Sequence, residues 1–524
     1  MTSVLIVGAG PTGLILALDL ARRDVGVRII DRSAGFPRTS RAKGPNPRSM
    51  EVLADLGVID EVLAAGSAPL PMRKYRNRTP VTDTDPYEGS APTPDAPYDR
   101  SWLIAQWRLE EILRDRLARY GVRVELDAEL VAIADHGNSV TAELADGTSI
   151  GAGHLVGCDG ARSSVRKLLG LPFEGKTSED QLMVCGDVEL TGPDRDHWHQ
   201  WFDEDGAVLL CPIPGTGSGW WFQSVPEYAA DGAPLPASLD GFRRLLTRYT
   251  GLPGTCLTDA TLLSTYRGNE RMVDRYRVGR VLLAGDAAHV HSIAGGLGMN
   301  TGIQDAFNLG WKLARVATGR SGAALLDTYE EERLPVAAWT LDLASDRLRA
   351  TLDAIKEPGG GLDAAVSRET SGLDRGYRWS SLSPGGPGTP AGTSALRPGD
   401  RAPDAPCRDA ATGEPTRLFE AFAGPHFTLL GFGAESARAL RHAETDHGEA
   451  VRTYLIPSPP HPADQVPPHP RTLLDEAGHA HAAYGATGGH VPALVLVRPD
   501  NHVALLATAT DSEAVRTYFD ALAR

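Results

Sequence analysis

Val4 to Val7 form a short apolar run that passes through Gly8-Ala9-Gly10-Pro11-Thr12-Gly13 directly into the apolar series Leu14 to Ala21. A strand, a tight glycine turn and a helix account for this pattern, and few folds can hold it. Gly8 lets the chain turn, Gly10 leaves room for a pyrophosphate against the backbone, and Gly13 lets the helix pack closely on the strand. Pro11 suits the first helical position, and Thr12 follows it in the same turn. The helix N-terminus, with unpaired N–H groups and a positive dipole end, then faces the phosphates. A second apolar run, Val25 to Ile30, ends at Asp31-Arg32, with Asp31 18 positions beyond Gly13. An acid at that place can accept from adenosine ribose hydroxyls. The unit reads as a dinucleotide site within a Rossmann-type α/β domain.

Two later segments decide which dinucleotide. Cys158-Asp159-Gly160-Ala161-Arg162-Ser163-Ser164-Val165-Arg166 resembles the Asp-Gly motif of class A flavoprotein monooxygenases, the single-component group that includes para-hydroxybenzoate hydroxylase. Val281-Leu282-Leu283-Ala284-Gly285-Asp286-Ala287-Ala288-His289 resembles that group's Gly-Asp motif. The resemblance implies FAD as the cofactor, with Asp286 on a ribityl hydroxyl and Asp159 and Arg166 organising the cofactor cleft. It further implies that Arg41, in Arg41-Ala42-Lys43-Gly44, contacts the flavin side and that Gln106 reaches FAD. For Glu110, on the same helix as Gln106, an exposed surface carboxylate is an equally good reading. Gly295 to Gly302 holds four glycines in eight residues ahead of a helical pattern. In the family that helix aims its N-terminus at the pyrimidine end of the flavin, which places Gly298, Met299 and Asn300 in the cofactor site.

The chain departs from the family pattern at Ile293, where a proline is usual, and at Leu297, where a glutamine or similar residue is usual. Ile293 keeps a carbonyl but loses the fixed φ of proline. These departures keep a second outcome open, a Baeyer-Villiger insertion, oxidative rearrangement or ring cleavage in place of ring hydroxylation. A third reading is a flavin-binding accessory protein that does not oxygenate.

At 524 residues the chain exceeds a single core. The expected organisation is an FAD-binding segment over 1–178 that includes a strand-rich excursion at about 70–100, a substrate-binding β-sheet domain over 179–267, and the second FAD-binding segment with a closing helix over 268–356. A Gly/Pro/Ser-rich linker over 357–400 and a C-terminal domain over 401–524 follow. Frequent Gly, Pro and Asp turns between short strands mark the 179–267 sheet as antiparallel. Its aromatic residues Trp201, Phe202, Trp220, Trp221 and Phe222 are candidates for the wall of a substrate chamber, with Trp221 and Phe222 foremost and Ile293 and Ala294 as further substrate-site candidates. The C-terminal segment resembles the thioredoxin-like tail of aromatic polyketide hydroxylases and phenol hydroxylase relatives. It carries no Cys-x-x-Cys after its first strand, so thiol redox chemistry is not expected.

Composition excludes other classes. A net charge of -15 and a pI near 5.5 disfavour nucleic acid. No apolar run approaches the roughly 20 residues of a membrane span. Five scattered cysteines point to a reducing, cytoplasmic setting. The pairs His197/His199, His289/His291 and His479/His481 lack a third ligand, so no metal is expected. The resemblance as a whole implies a monooxygenase. NADPH or NADH would reduce bound FAD transiently, O2 would form a flavin C4a-hydroperoxide, and a phenolic or polyketide-like ring would accept the oxygen, as in antibiotic biosynthesis. No general base is assignable from the residues. A homodimer is left open.

Overall fold

The computed structural model describes residues 2–357, 359–384, 396–458, 469–486 and 493–524, with the side chains of 178–181 left aside. The opening run forms a strand, Thr2–Val7, at the centre of a sheet. Its neighbours are Val27–Ile30 and Ser149–Gly157, both parallel to it. Val281–Leu283 and Val124–Glu125 continue the parallel array on either side. A hairpin of Leu130–Asp135 and Val140–Leu144 adds antiparallel strands beside Ser149–Gly157. The Pro11–Ala21 helix is buried against helices Gln106–Ala118 and Gly298–Ala317. This explains why its sequence is apolar on every side rather than along one stripe.

A second sheet of eight strands stands beside the first. Its spine is a pair of long antiparallel strands, Glu174–Leu190 and Leu257–Met272, joined through three register shifts. Gly219–Ser224, Gly206–Pro212 and Trp198–Asp203 follow as an antiparallel meander. Two features differ from the expected organisation. Met72–Arg76 and Thr79–Thr84, expected within the FAD-binding segment, extend this second sheet, with Met72–Arg76 parallel to Trp198–Asp203. The two long strands also run past residues 178 and 267, with one of the three register shifts falling there, between Arg267 and Gly268. Hydrogen-bonded ladders bind these residues together irrespective of where they fall in the chain.

The helix Leu239–Thr250 covers one face of this sheet. Ser238 caps it by accepting from the Gly241 N–H, and Gly251 ends it at φ 79°. Phe242, Leu245, Leu246 and Tyr249 fall on one stripe and pack on Val184, Val188, Leu210, Trp220 and Phe222.

The C-terminal domain is a four-stranded sheet ordered Val451–Ile456, Phe427–Phe432, Leu494–Val497, Val503–Ala507. The first pair is parallel and the others antiparallel. With helices Ala437–His447 and Ser512–Ala523 this is a thioredoxin-like α/β domain. The expected hairpin begins at Leu494; Val491 and Pro492 lie outside the described residues. The domain is joined to helices Gly298–Ala317 and Asp327–Ala354 by apolar and ionic contacts. Trp311 meets Phe427 edge-on at 5.5 Å. Glu332, fully buried, receives Lys312 Nζ at 2.6 Å, Arg498 Nη1 at 2.6 Å and Nη2 at 2.8 Å, Asn308 Nδ2 at 2.7 Å and Ser380 Oγ at 2.7 Å. Much of the expected linker is therefore packed. Ser380 joins this network, the Tyr377 hydroxyl meets Arg333 at 3.0 Å, and Lys74 Nζ donates to the Gly359 carbonyl at 2.7 Å. Pro358 and the run from Gly385 to Gly388 lie outside the described residues.

Candidate functional site

The three glycines of the opening motif have three different surroundings. A Cβ on Gly8, whose φ is +104°, would stand 2.4 Å from the Cys158 carbonyl oxygen, and one on Gly13 would stand 2.0 Å from the Gly8 carbonyl oxygen. Both positions hold the turn against its neighbours. A Cβ on Gly10 would meet nothing within 4 Å. Gly10 is the N-cap residue and Pro11 begins the helix, with no side chain capping it. The helix end thus presents bare backbone N–H groups to open space, the environment an anionic phosphate requires. Thr12 faces inward, where Cβ atoms on Gly285 or Gly302 would collide with its hydroxyl. It packs the opening turn against the Gly-Asp segment.

Asp31 Oδ2 accepts from the Ala9 N–H at 2.8 Å and Oδ1 from the Ser33 N–H at 2.9 Å, so the acid that ends the second strand is steered over the glycine turn. Each oxygen keeps a lone pair for a further donor. Arg32 is exposed beside it. Asp159 organises its own segment. It accepts from Ser163 Oγ at 2.6 Å, Ser164 N at 2.6 Å and Val165 N at 3.2 Å, and so fastens the start of helix Ser164–Leu168. Arg166 is buried, lies over the Phe173 ring, and donates to the Ala161 and Ala287 carbonyls. It ties the Asp-Gly and Gly-Asp segments to each other.

Asp286 differs from these acids. It is exposed and accepts no hydrogen bond among the described residues. Its place at the foot of a cleft, against the mass of the protein, raises its pKa by desolvation despite the opposing fields of His289 and Arg41. His289 is turned away from it. Its Nε2 meets Asp305 at 2.7 Å in a buried cluster where Asp305 also accepts from Gly285 N at 3.0 Å and Arg333 Nε at 2.7 Å. Burial works against the Asp305 carboxylate, but Arg333 and His289 hold its pKa below the ordinary range.

At the other end of the cleft the Gly298–Ala317 helix has no side-chain cap, so the N–H groups of Gly298, Met299 and Asn300 form its open first turn. The Asn300 side chain is already engaged, accepting from Asn46 N at 2.8 Å and donating to the Gly296 carbonyl at 2.7 Å. Only its backbone is free for a ligand. The Gln106 amide is engaged in the same way. Its Oε1 accepts from Arg41 N and Ala42 N at 3.3 and 3.2 Å, and its Nε2 donates to Glu110 at 2.8 Å. Glu110 is buried rather than exposed, and burial raises its pKa. Both amides position loops around the cleft. The Arg41 side chain is exposed there.

The two departures from the family pattern separate in space. Ile293 is 38% exposed on the loop entering the helix, with Ala294 buried next to it. Leu297 is buried against Leu343, Ala344 and Trp339, a contact with the closing helix that an amide would disrupt.

The strand Gly219–Ser224 alternates, and this corrects one of the two aromatic assignments. Phe222 stacks on Phe242 at 4.4 Å on the helix-covered face and cannot line a chamber. Trp220 shares that face. Trp221 and Gln223 point to the opposite face, where Trp221 packs with Leu103, Ala105, Cys211 and Ile213. Lys43 Nζ reaches the same face and donates to Gln223 Oε1 at 3.0 Å. Asp187, cross-strand partner of Trp221, is buried there and accepts from Ser40 N at 2.7 Å. Neither Lys43 nor Asp187 stands out in the sequence. The strand that carries Asp187 also holds other acidic residues, Glu174 and Glu189 among them, so composition does not single it out.

The residues present fit a flavin dinucleotide on three counts: the clear space at Gly10, the unpartnered carboxylate of Asp286, and two uncapped helix ends. Residues 1–344 match the family model described as FAD binding domain, and residues 464–524 match the C-terminal dimerisation domain of phenol hydroxylase. The chain belongs to the FAD-dependent monooxygenases. It is 41% identical over 445 residues, covering 83% of this chain and 89% of the relative, to a flavin-dependent monooxygenase of Mycobacteroides abscessus. It is 32% identical over 523 residues to the pentachlorophenol 4-monooxygenase of Sphingobium chlorophenolicum, covering 96% and 93% of the two chains. A crystal structure of aklavinone-11 hydroxylase with FAD and aklavinone superposes with a TM-score of 0.82 at 28% identity, covering 100% of this chain and 99% of that one. FAD is thus the cofactor of this monooxygenase, with O2 and a reduced nicotinamide as the co-substrates of its class. Among the described residues no helix is long and apolar enough to cross a membrane, and no three His, Cys, Asp or Glu side chains are grouped to hold a metal.

Proposed function

We propose that this monooxygenase hydroxylates a phenolic or polyketide-like aromatic ring in the tailoring of a secondary metabolite, drawing electrons from NADPH or NADH. The observation that carries the reading is a chamber face, built from Trp221, Lys43, Gln223 and Asp187, set on the flavin side of the second sheet. That face sets the Trp221 ring beside a few fixed polar groups, as a fused-ring ligand with oxygen substituents requires. The aklavinone complex of a structural relative supports the substrate class.

The bound flavin supplies electron transfer and oxygen activation, and the chain supplies placement. In this reading Gly8, Gly10, Pro11, Thr12 and Gly13 shape the pyrophosphate seat, Asp31 and Arg32 face the adenosine end, and Asp286 holds the ribityl chain. Arg41, Gln106 and Asp159 fix the surrounding loops. The open turn at Gly298, Met299 and Asn300 stabilises negative charge on the reduced ring. Ile293 and Ala294 would line the substrate side of the cofactor site. Leu297 is engaged in packing, which leaves Ile293 as the single departure near the chemistry and favours hydroxylation over rearrangement. The C-terminal match supports a homodimer, and the free cysteines suit a cytoplasmic enzyme.

The test is the absorbance spectrum of the purified protein, followed by anaerobic NADPH reduction and reoxidation in air with a panel of polycyclic phenols. Bound flavin with oxygen uptake accelerated by one ring system, and a product heavier by one oxygen, is the expected result. Flavin that ignores every phenol would refute the hydroxylase reading.

A further inference from the structure

The flavin-side face of the second sheet carries polar groups that protein packing leaves unused. Asp187 is 4% exposed, and while one of its oxygens holds the Ser40 N–H, Oδ1 is buried with no partner. The indole N–H groups of Trp221 and Trp198 are likewise buried and unpartnered. Lys43 Nζ stands among them, 5.3 Å from the Trp198 ring and 5.9 Å from the Trp221 ring. It has three N–H donors, of which one is taken up by Gln223. Strand pairing fixes this juxtaposition. Trp221 lies beside Asp187 on one side and Cys211 on the other, and Gln223 lies beside Cys185. Four strands or segments thus bring one acceptor and several donors to a common apolar wall, and a buried polar group without a partner is a costly thing for a fold to retain.

We propose that Lys43 and Asp187 form the oxygen-recognition site for the aromatic substrate, which must be an arene bearing an ionisable ring hydroxyl. The Asp187 Oδ1 atom takes the hydroxyl proton; the O–H bond of the phenol breaks, an O–H bond forms on the carboxyl, and the electron pair stays on the ring oxygen. Lys43 donates to that oxygen and holds it as the anion, so the ring is electron-rich when oxygen is delivered. The inference rests on the hydroxylase reading above and adds its substrate determinant.

The electrostatics of the face agree with this geometry. Desolvation brings Asp187 to a pKa of about 6, against the Ser40 N–H and the charge of Lys43, which suits a carboxylate accepting a proton near neutral pH. Desolvation also lowers Lys43, against the fields of Cys211, Cys185 and Asp187. An added anion would restore the ammonium form.

The test uses the full-length FAD-loaded enzyme with 2-hydroxyanthraquinone, whose ionisation changes its colour, and 2-methoxyanthraquinone, which has the same shape and no proton to lose. Wild type is expected to bind the hydroxy compound about tenfold or more tightly than the methoxy compound and to show the anion band in difference spectra. Lys43→Met should abolish both the preference and the band, and Lys43→Arg should restore part of each. Asp187→Asn, which keeps an acceptor for Ser40, should bind the hydroxy compound without the band. Flavin content reports folding for each variant, and Lys43→Gln replaces the methionine variant if that one loses flavin. Equal binding of the two compounds, binding of neither, or an anion band that survives in Lys43→Met overturns the inference. Absence of flavin from wild type would instead refute the hydroxylase reading itself.

Discussion

Glu332→Gln tests how far the C-terminal domain holds the flavin side of the molecule together. Glu332 is 0% exposed, and five donor atoms converge on it, two from Arg498 and one each from Lys312, Asn308 and Ser380. Burial opposes its ionisation, but Arg498 and Lys312 keep its carboxyl well below the usual range, so it is an anion at any working pH. Glutamine preserves the shape, removes the charge and turns an NH2 group toward one of the donors. Asp500, 2.5 Å from Arg498, compensates one cation only. Removing one partner of a buried ionic cluster costs about 3–5 kcal/mol, chiefly the penalty of the charges left behind. For a unit of this size that corresponds to a fall of roughly 5–15 °C in the unfolding midpoint. The assay is thermal unfolding of the FAD-saturated enzyme followed by tryptophan fluorescence, for which Trp311 beside Lys312 is a local reporter. The control is Glu227→Gln, which breaks the partly exposed pair with Arg244 and should move the midpoint by less than about 2 °C. If Glu332→Gln behaves like its control, the network is not the joint described above.

Four further outcomes follow from the site. Gly8→Ala should fail to fold, since its Cβ collides with backbone at a positive φ, whereas Gly10→Ala should fold as apoprotein and lose FAD affinity; equal behaviour of the two by circular dichroism and flavin content would contradict the geometry. Asp286→Ala should purify with little flavin at near-wild-type apoprotein stability, because among the described residues no hydrogen bond or ion pair uses that carboxylate. Leu297→Gln should lower stability by about 1–3 kcal/mol through burial of an unpaired amide, with the product distribution unchanged. Asp187 carries a pH signature. Its folded pKa, about 6, lies above its unfolded value, so the folded state binds the extra proton and stability falls as pH rises from about 4 to 6. Measured without substrate, Asp187→Asn should therefore gain on wild type across that window by up to about 3 kcal/mol and hold a constant advantage above it; a flat difference would refute the shift.

The parts of the site legible in the sequence are those where one residue type is compelled by backbone geometry. Gly8, Gly10 and Gly13 are readable because a turn, a clearance and a close helix contact each exclude a side chain, and the structure shows three different surroundings for them. Asp286 is readable because it lies in the turn that follows a strand inside a recognisable motif. Asn300 and Gln106 show the limit of this approach. Both stand where the family pattern puts cofactor residues, yet their amides bond to neighbouring loops, and nothing in the spacing distinguishes a residue that touches a ligand from one that positions the residue that does. Phe222 fails for a related reason. Alternation in Gly219–Ser224 requires that Trp221 and Phe222 face opposite ways, but which face meets the flavin depends on where helix Leu239–Thr250 packs.

Local sequence thus determined the Rossmann-type opening, the later flavin motifs, the antiparallel texture of the second domain and the strands of the tail, since each arises from short-range periodicity and turn chemistry. The tertiary structure alone decided that Met72–Thr84 completes the second sheet, that Leu297 belongs to a core contact, that much of the Gly/Pro-rich segment is packed, and that Lys43 meets Asp187 across a sheet face. Those facts depend on partners well separated along the chain, paired by hydrogen-bond ladders and by burial of apolar surface. Such pairing acts on the folded chain as a whole and leaves little trace in any one stretch of it.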